Sequence, residues 1–291
     1  MRDRFSFVVT TVLIFLLVPV IITFLLSGRQ SITIEKAPDA ENYLAGIVYR
    51  QVAADYPLEA VKAQVVLARS TFVRQVKDGT MTKRQLEQIA QNLKSDMESR
   101  NFEKQYELIQ RAVIATRGEV LAYNGEVCFG VFHRLSTGRT RNAKSVLQDA
   151  SYEYLTGAES VKDQEAEDYL TGHYFTPAFL EKEFQEFGIT FSASAGDVIE
   201  VEERDEAEYV TSVKIGGQTC TGEELRQMLH LPSASFVVEQ LDGKVRFLCR
   251  GAGHGLGMSQ YGAGCMAREG STYHEILEHY FPETEILVTK K

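Results

Sequence analysis

Apolar positions change rhythm several times along this chain, and each rhythm predicts a different element. Phe5 to Leu26 runs for 22 residues without a charge, interrupted only by Ser6, Thr10, Thr11, Pro19 and Thr23. A helix of that length crosses the ~30 Å hydrocarbon core of a bilayer. Arg2 and Arg4 precede it, so the positive-inside rule puts the N-terminus in the cytoplasm and residues from 30 onward outside. A cleaved signal peptide would carry a shorter apolar run and a small-residue cleavage site, for which Leu25-Leu-Ser-Gly28 is poor. From Glu41 to Ala54, Leu44, Ile47, Val48 and Gln51 recur at i, i+3, i+4 and i+7, which predicts a helix with one amide on its apolar stripe. Pro57 suits the first position of a second helix, with Glu59 near the positive end of its dipole. That helix would bury Val61, Val65, Ala68 and Phe72 and turn Lys62, Gln64 and Arg69 to other faces.

Residues 77–113 are polar, with Leu86, Ile89, Leu93 and Met97 at helical spacing, and predict one or two solvated amphipathic helices as an excursion. The pattern then shortens to a period of two. Gly118 to Phe132 predicts a hairpin turning at Asn124-Gly125, residues 197–215 a half-exposed hairpin, and Ser235 to Leu248 another around Asp242-Gly243. Between these, Gly222 to Pro232 predicts a short helix, and Thr272-Tyr-His-Glu275 opens a last helix as a capping box. No repeat and no Ser/Gly/Pro linker divides residues 30–291. The predicted fold class is therefore α+β, a membrane-spanning helix at 5–26 followed by one mixed α/β extracytoplasmic domain.

Charge narrows the partners. With 40 acidic against 31 basic residues and a net charge of −9, the chain lacks the basic face a nucleic acid requires. The four cysteines (128, 220, 249, 265) form no C-x-x-C and no zinc-finger spacing; outside the cytoplasm they allow one or two disulfides or buried free thiols.

The candidate chemistry gathers in Arg250-Gly-Ala-Gly-His-Gly-Leu-Gly-Met-Ser-Gln-Tyr-Gly-Ala-Gly264, with glycine at 251, 253, 255, 257, 262 and 264. Alternating glycine lets the backbone turn to positive φ or meet another chain closely. It predicts either a tightly packed loop or a polar ligand floor displaying His254, Met258, Ser259, Gln260 and Tyr261. A phosphate loop is excluded, since Met258 and Gln260 stand where its glycine would be and no Gly-Lys-Ser/Thr follows. His274 and His279 are five apart, so they are not the zinc pair of HExxH. Cys265 with His254 makes a nucleophile pair only on paper, because Cys265 lies among Ala263, Gly264 and Met266, a setting for close packing.

This stretch, with Tyr273-His-Glu-Ile-Leu-Glu-His-Tyr-Phe-Pro282 after it, resembles the signature of the stage II sporulation protein D / amidase-enhancer family, which acts on bacterial peptidoglycan. Tyr43-Leu-Ala-Gly-Ile-Val-Tyr-Arg-Gln51 through Pro57, Lys62-Ala-Gln64 and Arg69-Ser resembles its first helical pair without a gap. His133-Arg-Leu-Ser-Thr-Gly-Arg-Thr-Arg-Asn-Ala143 resembles its His-Ser loop, with Thr137 replacing a glycine, and Tyr154-Leu to Val161-Lys-Asp163 resembles a further segment. The resemblance implies a lytic transglycosylase, in which one glutamate protonates the glycosidic oxygen and then takes a proton from the muramic 6-hydroxyl. Gln51 stands at that glutamate's position and cannot titrate. Asp55, Glu59 and Glu41 are the nearby carboxyls that a rescue would need. The implied glycan-binding residues are Lys62, Arg69, His133, Ser136, Gly138, His254, Met258, Ser259, Gln260 and Tyr261. Residues 134–143 hold no Cys and no second His for the zinc site of some members, so no metal and no cofactor is expected. The partners implied are peptidoglycan glycan strands, a cell-wall amidase and other sporulation membrane proteins. Two functions follow: a membrane-anchored glycan-strand remodelling enzyme, or a non-catalytic glycan binder that recruits or stimulates an amidase.

Overall fold

The first helix of the fold stops a turn earlier than its apolar spacing predicts. A computed structural model describes residues 38–99, 102–147 and 149–289, and the predicted span at 5–26 lies outside them. Helix α1 covers Leu44–Tyr49, after a 3-10 turn at Ala40–Asn42. It tightens at its end, where Gln51 N–H reaches back only three residues to the Val48 carbonyl. The carbonyls released there are claimed by side chains from elsewhere. Gln105 donates to those of Tyr49 and Val52 and Gln260 to that of Gln51, so tertiary contacts satisfy the orphan acceptors of the helix end. Gln51 thus sits in a turn rather than on the stripe of a continuing helix.

Pro57 caps α2, Leu58–Lys77, from the residue before it. Helices α3, Lys83–Asp96, and α4, Phe102–Ala115, follow. Only α3 fits the picture of a solvated excursion. In α4, Ile109 and Ala112 are fully buried against Leu44, Val48, Val61 and Val65, so this helix completes a three-helix core with α1 and α2. Its charged character hides a narrow buried stripe, Phe102, Gln105, Ile109 and Ala112, at i, i+3, i+7 and i+10. The predicted Arg69 and Gln64 are likewise buried, not solvated.

The first hairpin forms as expected. β1, Glu119–Tyr123, meets β2, Glu126–Val127, across Asn124 and Gly125, both at positive φ. β3, Phe132–His133, leads into the 133–143 loop, and β4, Leu170–Phe175, and α5, Pro177–Glu186, follow. β5, Ile199–Arg204, β6, Val210–Ile215, and β7, Gln218–Cys220, make an antiparallel sheet with a bulge near Glu203. Helix α6, Gly222–Met228, leads to β8, Phe236–Leu241, and β9, Lys244–Arg250, which pair around Asp242-Gly243, with β4 on the other edge of β9. The chain ends with β10, Met258–Ser259, α7, Gln260–Arg268, α8, Tyr273–Tyr280, and β11, Glu285–Val288.

Two long-range pairings close the fold. β11 returns to pair antiparallel with β1, and β10 runs parallel to β3 with Ser259 opposite His133. Residues 40–291 form one compact unit with a mixed α/β architecture. Its apolar clusters lie between α1, α2 and α4, between α2, β1, α7 and α8, and inside the β-rich region at 170–250. Among the described residues no helix is long and apolar enough to cross a membrane. Cys128, Cys220, Cys249 and Cys265 are all free thiols, the first and third buried and the other two partly exposed.

Candidate functional site

The glycine run carries its backbone between two other segments. Gly251, Gly253, Gly255 and Gly257 all take positive φ, between +71° and +107°, which an L side chain adopts only under strain. A Cβ at 257 would also sit 2.1 Å from the Val131 carbonyl oxygen. Bridges from Ala252 to Leu135 and from Leu256 to Arg141 hold the run against the 133–141 loop. Sequence allowed a packed loop or a ligand floor; the glycines at 251–257 serve the packing, and the cavity-lining Gln260 and Tyr261 lie just beyond them.

Leu256 explains both histidines. Its carbonyl accepts from His133 Nδ1 at 3.0 Å, and its N–H donates to His254 Nδ1 at 3.1 Å. The two rings stand 5.9 Å apart. His133 is fully enclosed, and burial, with His254 beside it, pushes its pKa down to about 3. His254 is also shifted down by burial, against the pull of Glu223. Both are neutral near pH 7 and knit the loop together.

Past Gly257, Ser259 caps α7 by accepting from Gly262 N–H, and Met258 packs in the core. Gln260, the first residue of α7, reaches across to α1. Its Nε2 donates to the Gln51 carbonyl at 2.6 Å and to Gln64 Oε1 at 3.2 Å, while Gln64 Nε2 donates to Gln51 Oε1 at 2.9 Å. A backbone carbonyl only accepts, so it fixes the direction of every bond in this amide ring. Gln51 Nε2 is left as the one side-chain donor of the ring that bonds to neither of the other two amides. The group presented is an amide N–H, not an acid.

A cavity of about 300 Å³ opens at this point, lined by Gln51, Ala53, Tyr56, Arg134, Leu135, Gln260 and Tyr261. None of these seven side chains is a carboxyl. Burial pushes the Tyr56 phenol up to about 12, with Arg134 and Arg268 opposing, so it stays protonated. Arg134 is exposed and pairs with Asp168, and its carbonyl accepts from Tyr261 N–H at 3.1 Å, tying the two walls together.

One carboxylate lies behind the walls. Asp163 is fully buried and accepts from Ser136 N–H at 2.7 Å. Burial raises its pKa; the Ser136, Ser259 and Ser160 hydroxyls partly offset this. It links the 134–138 loop to the start of α7. Gly262 makes room for it: a Cβ there would lie 2.3 Å from Ser160 Oγ and 3.0 Å from Asp163 Oδ1. Gly138 is held in the same place, its carbonyl accepting from Ser160 N–H.

The remaining predicted residues sit elsewhere. Lys62 pairs with Glu59 at 2.6 Å, and the Glu59 carboxylate also accepts from Tyr273 N–H at the start of α8. Arg69 is 1% exposed and spends its donors on Glu41, Thr116 and the Glu119 and Val113 carbonyls. Neither Lys62 nor Arg69 lines the cavity, nor do the rescue carboxyls Asp55, Glu59 and Glu41. Cys265 contacts Arg268 rather than His254. Sequence reasoning missed Tyr56, Arg134, Gln64 and Asp163 as site residues. All four lie inside the matched segments, but nothing in the local pattern marks them as lining or backing a cavity.

Comparison with known proteins finds relatives over most of the chain. The family described as Stage II sporulation protein (SpoIID) matches residues 28–123. Stage II sporulation protein D of Bacillus subtilis (strain 168) is 31% identical over 280 residues, 92% of this chain and 79% of the relative. Stage II sporulation protein D of Bacillus amyloliquefaciens is 30% identical, over 87% and 75%. The amidase enhancer of Bacillus subtilis (strain 168) is 24% identical, over 84% of this chain and 40% of that protein.

Proposed function

The chain belongs to the stage II sporulation protein D family, and from that premise we propose that it serves the cell wall in sporulation by holding peptidoglycan glycan strands at Gln51 without cutting them. The amide ring of Gln51, Gln64 and Gln260 carries this reading. It puts an amide, not an acid, on the wall of a cavity whose lining has no carboxyl, and general acid catalysis requires a titrating group within reach of the glycosidic oxygen. Tyr56, Tyr261 and the amides suit the hydroxyl and N-acetyl groups of a sugar. Similarity to an amidase enhancer supports a partner role, in which the bound strand is presented to a cell-wall amidase. The uncharged run 5–26 and its Arg2/Arg4 flank support a membrane anchor with the rest of the chain outside.

The test is mass spectrometry of peptidoglycan strands after incubation with the protein. Wild type should release no 1,6-anhydromuropeptide above background, and Gln51→Glu should release it. Acid catalysis contributes about 10²–10⁴-fold, so partial restoration is detectable. A glutamate there would follow the C-terminal end of α1, half-buried, where the helix dipole and desolvation both favour its protonated form. Turnover by wild type that Asp55→Asn or Glu59→Gln abolishes without unfolding would reverse the proposal.

A further inference from the structure

Gln51 lines a second cavity as well. On its other side a groove of about 430 Å³ lies between α1, α2 and α3. One face of α2 leads from the amide ring into it. Gln64, Ala68, Thr71 and Gln75 follow at i, i+4, i+7 and i+11, a single stripe; the first belongs to the amide ring and the other three line the groove. At ~1.5 Å per residue the groove-lining part of the stripe, Ala68 to Gln75, is about 10 Å long, room for about two sugar rings. The closeness of α3 depends on Gly46, where a Cβ would meet the Ile89 side chain at 3.3 Å. A capping box between Thr82 and Gln85 secures the near end of α3.

The chemistry of this groove is distinctive. Its floor is apolar, from Ile47, Ala68 and Phe72, and its rim carries the amides Gln75, Gln88 and Asn92. Pyranose rings have apolar C–H faces edged by hydroxyl and acetamido groups, which amides can both donate to and accept from. The only charged lining residue is Arg50, and Asp96 binds it through two bonds of 2.8 Å. A groove neutralised in this way has nothing for an acidic peptide or an anionic headgroup to pair with.

We propose that this groove is a second glycan subsite, holding uncharged N-acetylated sugar rings of the same strand that occupies the cavity at Gln51, so that the strand crosses Gln51. The inference rests on the glycan-binding reading above and adds where the strand runs.

Calorimetry with N-acetylglucosamine oligomers of three and six units tests it. In wild type the hexamer should bind about tenfold tighter than the trimer, because only it reaches both cavities. Gln75→Trp, which fills the groove, and the surface pair Gln88→Ala/Asn92→Ala should each erase the hexamer's advantage. Equal affinities in wild type, or an advantage that survives in both variants, overturn the subsite while leaving glycan binding at Gln51 intact. Failure of wild type to bind either oligomer overturns both. A concentration-dependent dimer that Gln75→Trp abolishes would assign the groove to a second copy of the chain and likewise overturn the proposal.

Discussion

The β-rich region at 170–250 and the region that holds Gln51 build their interiors from different materials. In the first, Leu180, Phe184, Ile215, Leu225, Phe236 and Phe247 close over one another in one apolar cluster. Of the sixteen buried polar or charged residues among those described, only Ser233 and Ser235 fall between 170 and 250. Most of the rest surround the glycine run and the α1–α2 turn, while Arg69, Ser70 and Thr116 lie between α2 and the start of β1. An apolar interior tolerates volume-conserving exchange, because dispersion and burial are non-directional. A polar interior is committed to particular partners, since each unmet donor or acceptor costs about 1–3 kcal/mol. Geometry is therefore specified most tightly where the chain holds its candidate ligand.

Replacing Arg69 puts the largest expected effect on this contrast. Arg69→Met leaves Glu41 without its 2.7 Å partner and strips the donors from Thr116 and two carbonyls. Denaturant unfolding should show a loss of about 3–5 kcal/mol, the usual cost of breaking a buried pair. Ile215→Val in the apolar region should cost only about 0.5–1.5 kcal/mol. Similar losses at the two sites would erase the distinction.

Acid should separate the regions next. The folded pKa of His133 lies far below its ordinary value of 6.5, so its stabilising contribution is complete above pH 6.5 and is lost as pH falls toward about 3. The unfolded chain takes up a proton across that window and the folded chain does not. Wild type should lose about 1.4 kcal/mol per pH unit from this group below 6.5. In His133→Asn, whose amide can still donate to the Leu256 carbonyl, that share of the slope should vanish; identical pH profiles would mean that the enclosed imidazole takes up its proton without unfolding. Asp163 acts with the opposite sign. Its raised pKa favours the folded state at low pH, and that contribution is lost as pH rises through the folded value.

The smallest effect should ignore the contrast. Thr221 and Thr272 each form an exposed capping box, one in the β-rich region and one beside the site. Each Thr→Ala change should cost about 1 kcal/mol in thermal unfolding. A clearly larger loss at Thr272 would mean that the polar network extends to the surface of α8.

Features whose cause lies within a few residues are legible in the amino-acid order itself. The Asn124-Gly125 and Asp242-Gly243 turns, the capping box at Thr272 and the break before Pro57 all form where local chemistry puts them. The glycine run is legible as a special backbone, and its match to a family names the residues around it. Helix α4 is not legible in that way, because four inward residues among many charges read as solvated until α1 and α2 are seen to need a third partner.

What the sequence determined by itself is which residues stand at the critical positions, above all an amide at 51 in place of a carboxyl, because identity is covalent and independent of folding. Tertiary structure alone decided what those residues can do. Gln260 lies 209 positions from the carbonyl it holds, Asp163 27 from the N–H it accepts, and Arg69 28 from Glu41. The arginine that the resemblance implied as a glycan-binding residue became a core staple, and Tyr56 and Arg134 became cavity walls. Helical and strand periods report only which way a side chain points from its own element. Its partner depends on which other element packs there, and that is settled by closing the parallel β3–β10 pair and the α2–α7 contact across the whole chain.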